Sequence, residues 1–73
     1  MGQQFHKGQR VEWRWGAAVS KGRVVEIYKQ PVRRTLEGHE IVRLADEENP
    51  AYLIEQEDES RIMKSQSELL KAG

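Results

Sequence analysis

The sequence predicts an all-β domain, a small SH3-like barrel of five to six antiparallel strands, on three grounds. Its 73 residues are enough for one domain and no more. Several short runs alternate apolar and polar residues at period two. Gly, Pro, Asn and Asp separate those runs at short intervals. A chain of this length buries only about 60% of the surface its unfolded form exposes. With no cysteine there is no disulfide to add, so a stability of a few kcal/mol is expected and a large enclosed active-site cavity is not.

The first strand is the clearest. In residues 9–15, Val11, Trp13 and Trp15 alternate with Arg10, Glu12 and Arg14, between Lys7-Gly8 and Gly16-Ala17-Ala18. A second strand runs from Val19 to Tyr28 with Gly22 inside it. A glycine there weakens a strand unless the sheet bends or another backbone comes close, and Gly22 is read as a kink by which one strand serves two faces. After Pro31, Val32–Leu36 and Glu40–Leu44 form a hairpin over a three-residue loop, Glu37-Gly38-His39. Asp46-Glu47-Glu48-Asn49-Pro50 is a polar connection to a strand over Ala51–Glu57. Asp58-Glu59-Ser60 turns that strand, without the usual Gly, into Arg61–Lys64. Ser65-Gln66-Ser67-Glu68 fits a capping box that opens a short C-terminal helical turn. Leu69 and Leu70 then press against the open end of the sheet, and Lys71 suits a helix C-terminus. The whole of 1–73 reads as one barrel domain with an ordered core over residues 5–70.

Twelve Lys and Arg balance twelve Asp and Glu, so bulk charge favours neither nucleic acid nor membrane. The distribution is uneven: residues 1–44 hold nine basic and four acidic side chains, and residues 45–73 three and eight. Attraction between the two halves within one domain is the expected meaning, with steering of a charged partner as the alternative. No apolar run approaches a membrane span, and the first residues lack a charged segment followed by an apolar one. No membrane association is expected, and the cytoplasm is the expected compartment.

Catalytic and metal-binding constellations are missing. His6 and His39 are the only imidazoles, each in a loop or terminus, and exposed loop histidines explain them without a metal. Neighbouring acids such as Glu57 and Asp58 fall in a turn where nothing desolvates them. No catalytic residue, metal or cofactor is therefore expected.

The aromatic residues are more informative. Trp13, Trp15, Tyr28 and Tyr52 all fall on expected strands of a barrel that can bury only some of them. Surplus rings around a groove attract a methylated ammonium or stack on proline rings or bases. Such a face makes the domain a non-enzymatic binding or adaptor module for a protein or peptide partner. The competing reading is that the rings are core: the alternation of Val11, Trp13 and Trp15 favours burial of at least one Trp, with Trp13 the first choice. A nucleic-acid alternative rests on Arg14, Arg23, Arg33, Arg34 and Arg43, which could meet phosphates. Arg33 and Arg34 are neighbours on a strand and must point to opposite faces, so a solvated strand face competes with a basic stripe. Exposed barrel edges leave a monomer or a weak homodimer open.

The chain also resembles a family of small bacterial and fungal domains, named for a hypervirulence-associated protein and described as TUDOR-like, from Phe5 to Leu69. The residues that carry the resemblance are Lys7-Gly8, Val11-Glu12-Trp13, Trp15-Gly16, Gly22, Val24, Arg34-Thr35 and Gly38. The run Asn49-Pro50-Ala51-Tyr52-Leu53-Ile54-Glu55-Gln56-Glu57-Asp58 carries it further, closed by Lys64 and Ser67-Glu68-Leu69. The resemblance implies a TUDOR-type barrel with no established catalysis. By analogy of fold, it implies an aromatic cage for methylated Lys or Arg built from Trp13, Trp15, Tyr28 and Tyr52. The family pattern commonly has Gly where this chain has Glu59, and often His where it has Gln66.

Overall fold

The computed structural model describes residues 2–72. It contains β1 (Arg10–Trp15), β2 (Ala18–Tyr28), β3 (Val32–Leu36), β4 (His39–Arg43), β5 (Ala51–Glu55), β6 (Arg61–Ser65) and β7 (Leu70–Lys71), with a 3₁₀ turn at Gln66–Glu68. Five strands form one antiparallel sheet in the order β6-β5-β2-β1-β7, and β3 with β4 makes a separate hairpin. The last strand returns to the side of the first, the connectivity of an SH3-like barrel, and the hairpin is an insertion between β2 and β5. The sequence reading stops at six strands because β7, at Leu70 and Lys71, is too short to show alternation.

The sheet buries apolar residues on both faces. Val11, Trp13, Val24, Tyr52 and Ile54 join Phe5 and Leu69 in the barrel interior. On the opposite face Ala51, Leu53 and Met63 pack with Leu36 and Ala45, so the hairpin closes a second core. Strand β5 lies between the two, which is why Ala51-Tyr52-Leu53-Ile54 reads as a continuous apolar run rather than an alternation. Each of its large side chains contributes about 1.5–3 kcal/mol by leaving water.

Strand β2 serves both cores through a bulge. Its register passes from Val24↔Ile54 to Glu26↔Leu53, leaving Val25 as the extra residue. Val24 and Ile27 therefore pack into the interior, and Val25 and Tyr28 against the second core. The bend expected at Gly22 belongs to this bulge instead. Gly22 answers a close approach: a Cβ there would lie 2.5 Å from Ile54 Cγ2 and 2.8 Å from the Glu55 carbonyl oxygen.

Both hairpin loops differ from expectation by one residue. Strand β4 begins at His39, so the loop is Glu37-Gly38 alone, with φ of 50° and 80°. Two consecutive positive φ values make the tight turn whose twist matches the flanking strands. The β5–β6 loop is Glu57-Asp58-Glu59, closed by the Gln56 N–H donating to the Ser60 carbonyl at 2.8 Å. Its third residue, Glu59, has φ of 71°, the left-handed conformation usually given to Gly in a loop of this length. Asp58 Oδ1 accepts from the Ser60 hydroxyl at 2.6 Å and from its N–H at 3.0 Å, and these bonds lower the Asp58 carboxyl below its ordinary range.

At the C-terminal end, the Ser65 N–H donates to Glu68 Oε1 at 2.8 Å, as the capping box requires. The turn is a single 3₁₀ turn and the chain then extends into β7. Leu69 is consequently buried, while Leu70 is exposed rather than packed on the sheet, and Lys71 pairs with Val11 instead of ending a helix. Gln66 ties the first residues to this corner. Its Oε1 accepts from the Gln4 N–H at 2.8 Å and the Tyr52 hydroxyl at 2.5 Å, and its Nε2 donates to the Gly2 carbonyl at 3.1 Å.

The ion pairs fall both within and between the basic and acidic halves. Among the described residues, Lys7–Glu26, Arg33–Glu40, Arg61–Glu55 and Lys64–Glu68 each join charges of the same half, and Arg43–Glu68 joins the two. No helix among the described residues is long and apolar enough to cross a membrane.

Candidate functional site

The four aromatic residues do not come together. Tyr52 has no exposed surface, because β5 lies between two cores and its hydroxyl is engaged by Gln66 and the Phe5 N–H. Burial raises its phenol above the ordinary value of 10.0, against the opposing effect of the Phe5 and Gln4 backbone groups. Its ring meets Phe5 edge-on, with centroids 5.5 Å apart. Trp13 is 3% exposed in the barrel interior. Tyr28 is half-buried against the second core, and its hydroxyl accepts from Arg34 Nη1. Only Trp15, 70% exposed, presents a broad ring to solvent. A cage built from all four rings is therefore not formed, because Trp13 and Tyr52 are buried in the barrel interior.

The five arginines are likewise dispersed. Arg14 and Arg23 lie on the outer face of β1 and β2, where Arg23 pairs in register with Arg10 and Glu55. Arg33 points outward from the hairpin beside Glu40. Arg34 and Arg43 share the other hairpin face with Val32, Leu36 and Ile41 and turn toward the sheet. Arg33 and Arg34 do point to opposite faces, and no single surface collects all five.

What the fold assembles instead is a groove of about 390 Å³. The end of β1 contributes Trp15 and an edge of Trp13, the hairpin contributes Leu36 and Ile41, and β6 contributes Ile62 and Met63. This size falls in the range of ligand pockets. Its polar lining includes Arg43, Arg61, Lys64, Glu37 and His39. Arg43 Nη2 donates to the Met63 carbonyl at 3.2 Å and Nη1 lies 3.5 Å from Glu68, while its buried Nε has no hydrogen-bond partner. Sequence reading found Trp13 and Trp15, and Arg43 for the nucleic-acid alternative, but missed Leu36, Ile41, Ile62 and Met63. The alternation of Val32 and Leu36 with Arg33 and Thr35 does place two apolar side chains on one face of the hairpin. Nothing local shows that this face ends beside Trp15, far away in sequence.

No three His, Cys, Asp or Glu side chains among the described residues are placed to hold a metal ion. A family model described as the hypervirulence associated proteins TUDOR domain matches residues 8–69. No curated protein and no solved structure matches the chain.

Proposed function

We propose, from the premise that this chain belongs to the hypervirulence-associated TUDOR domain family, that it is a non-enzymatic cytoplasmic module binding a protein partner through the groove beside Trp15. TUDOR-like domains are generally non-catalytic binding modules. The observation that carries the reading is the 70% exposed Trp15 at the rim of an apolar groove. A large ring left in water at the mouth of a concave surface is the usual anchor of a protein interface.

The test is a randomised peptide library selected on the folded domain, followed by titration of the selected binders against Trp15→Ala. Affinity should fall by at least about tenfold, corresponding to about 1.4 kcal/mol, with the unfolding midpoint unchanged. Binders indifferent to Trp15→Ala would sink the groove as the site. Nucleic-acid binding separates from this by salt. Phosphate contacts weaken steeply between about 50 and 200 mM salt, whereas binding that rests on Trp15 and the apolar lining weakens less.

A further inference from the structure

Resting on that groove, we propose that its occupant is an extended peptide segment bearing acidic side chains beside apolar ones, which pairs with the backbone of Arg61 on the open edge of β6. Two independent features support it.

The first is charge. Arg43, Arg61 and Lys64 line the groove against Glu37 alone. The carboxylates that answer them stand outside the lining and are shared. Glu68 serves both Arg43 at 3.5 Å and Lys64 at 4.0 Å, and Glu55 lies between Arg61, 3.5 Å away, and its register partner Arg23. Three cations against one carboxylate in a lining that also holds Leu36, Ile41 and Ile62 suit acidic groups flanking an apolar anchor. A methylated ammonium would meet like charge there.

The second is the hydrogen-bonding pattern of β6, the outermost strand of its sheet. The β5–β6 ladder is fixed at its ends by Gln56 N–H to the Ser60 carbonyl and Gln66 N–H to the Pro50 carbonyl, each 2.8 Å. Bonded pairs alternate in an antiparallel ladder, so Ile62 and Lys64 bond to β5, and Arg61, Met63 and Ser65 turn their N–H and C=O outward. The Met63 carbonyl is taken by Arg43, Met63 itself is 3% exposed, and the Ser65 N–H is taken by Glu68. The edge is therefore closed at Met63 and Ser65 and open at Arg61. A free N–H beside a free C=O fits a peptide unit, which offers both an acceptor and a donor, whereas a phosphate offers acceptors alone. A second copy of this chain docking through its own β6 would set Arg61 and Lys64 against their like.

The experiment titrates isotope-labelled domain with capped octapeptides alternating Val with Glu, with Ser or with Lys, and with a mixed-sequence DNA oligonucleotide, all at physiological salt. The Val/Glu peptide should shift the Trp15 indole and Ile62 signals and bind at least about tenfold more tightly than Val/Ser, and Val/Lys more weakly still. It should also slow exchange of the Arg61 amide hydrogen. The double variant Arg61→Gln, Lys64→Gln should erase the preference for Val/Glu over Val/Ser. Equal binding of Val/Glu and Val/Ser, or an unchanged Arg61 exchange rate, overturns this inference and leaves the groove reading standing. Silence of the groove signals with every peptide, or a response to DNA alone, overturns both.

Discussion

Trp13 and Trp15 stand two residues apart on one face of β1, yet one is 3% exposed and the other 70%. Alternation assigned both to the same side; what lies opposite decides the depth. Trp13 faces Ser20 within the ladder and packs in the interior with Val11, Val24 and Tyr52. Trp15 pairs with Ala18 at the last rung before the Gly16-Ala17 turn, where the strand has run past the core. The interior spends its aromatic surface on stability, and the rim keeps one ring for contact. The sharpest way to break this contrast is to truncate both. Trp13→Ala should cost about 3–5 kcal/mol, as much as so small a domain has to lose, and leave it unfolded by circular dichroism. Trp15→Ala should stay within about 0.5 kcal/mol of the parent in urea titration. A cooperative, native-like Trp13→Ala would erase the distinction.

The same contrast separates what sequence could show from what it could not. Strand positions, the hairpin and the capping box at Ser65 rest on local chemistry, and each was legible from neighbouring residues. The unbroken apolar run of β5 goes with burial on both of its faces, which leaves Tyr52 no free side from which to meet a ligand. The groove depends on Leu36, Ile41, Ile62 and Met63 meeting Trp15 through a hairpin inserted between β2 and β5, and no local pattern encodes that distance. The run that most resembles the family, Asn49 to Asp58, turns out to be scaffolding. Asn49 Oδ1 accepts from the Ser67 N–H at 3.1 Å and the Pro50 carbonyl from the Gln66 N–H at 2.8 Å, so this run locks the 3₁₀ turn and fills both cores.

Gly22 extends the comparison to a backbone contact of the interior. An alanine Cβ there meets Ile54 Cγ2 at 2.5 Å and the Glu55 carbonyl oxygen at 2.8 Å, and the second of these is backbone that cannot swing aside. Gly22→Ala should cost about 1–3 kcal/mol by forcing β2 away from β5. A denaturation midpoint equal to the parent would mean that the two strands are more loosely held than the register implies. Glycine at the exposed Gly16 turn meets nothing within 4 Å, so the cost at Gly22 is one of packing.

Tyr52→Phe keeps the ring and removes the hydroxyl, leaving the Phe5 N–H without its acceptor at 3.4 Å and Gln66 Oε1 with the Gln4 N–H alone of its two donors. The expected loss is about 1–2 kcal/mol. It also carries a pH signature. Burial holds the folded phenol above its ordinary 10.0, so the stabilisation is complete below that pH and is lost as pH rises through the folded value. Unfolding midpoints measured from about pH 8 to pH 11 should fall for the parent at the alkaline end, and less steeply for Tyr52→Phe. Parallel curves would show that another group governs the alkaline limb.

A small effect of the opposite sign is expected at the periphery. Glu59 closes the β5–β6 loop at φ of 71°, a conformation that costs a residue with a Cβ about 1–2 kcal/mol and glycine nothing. Glycine also loses more backbone freedom on folding, by about 0.5–1 kcal/mol, which offsets part of the relief. Glu59→Gly should therefore raise stability by less than about 1 kcal/mol. Because Glu59 is exposed and outside the groove lining, binding should be unaffected. Substitution in the interior can only lose, whereas a loop that holds a glutamate where its geometry favours glycine has stability to regain. A Glu59→Gly domain less stable than its parent in urea would mean that side-chain contacts at this turn outweigh the strain of its backbone.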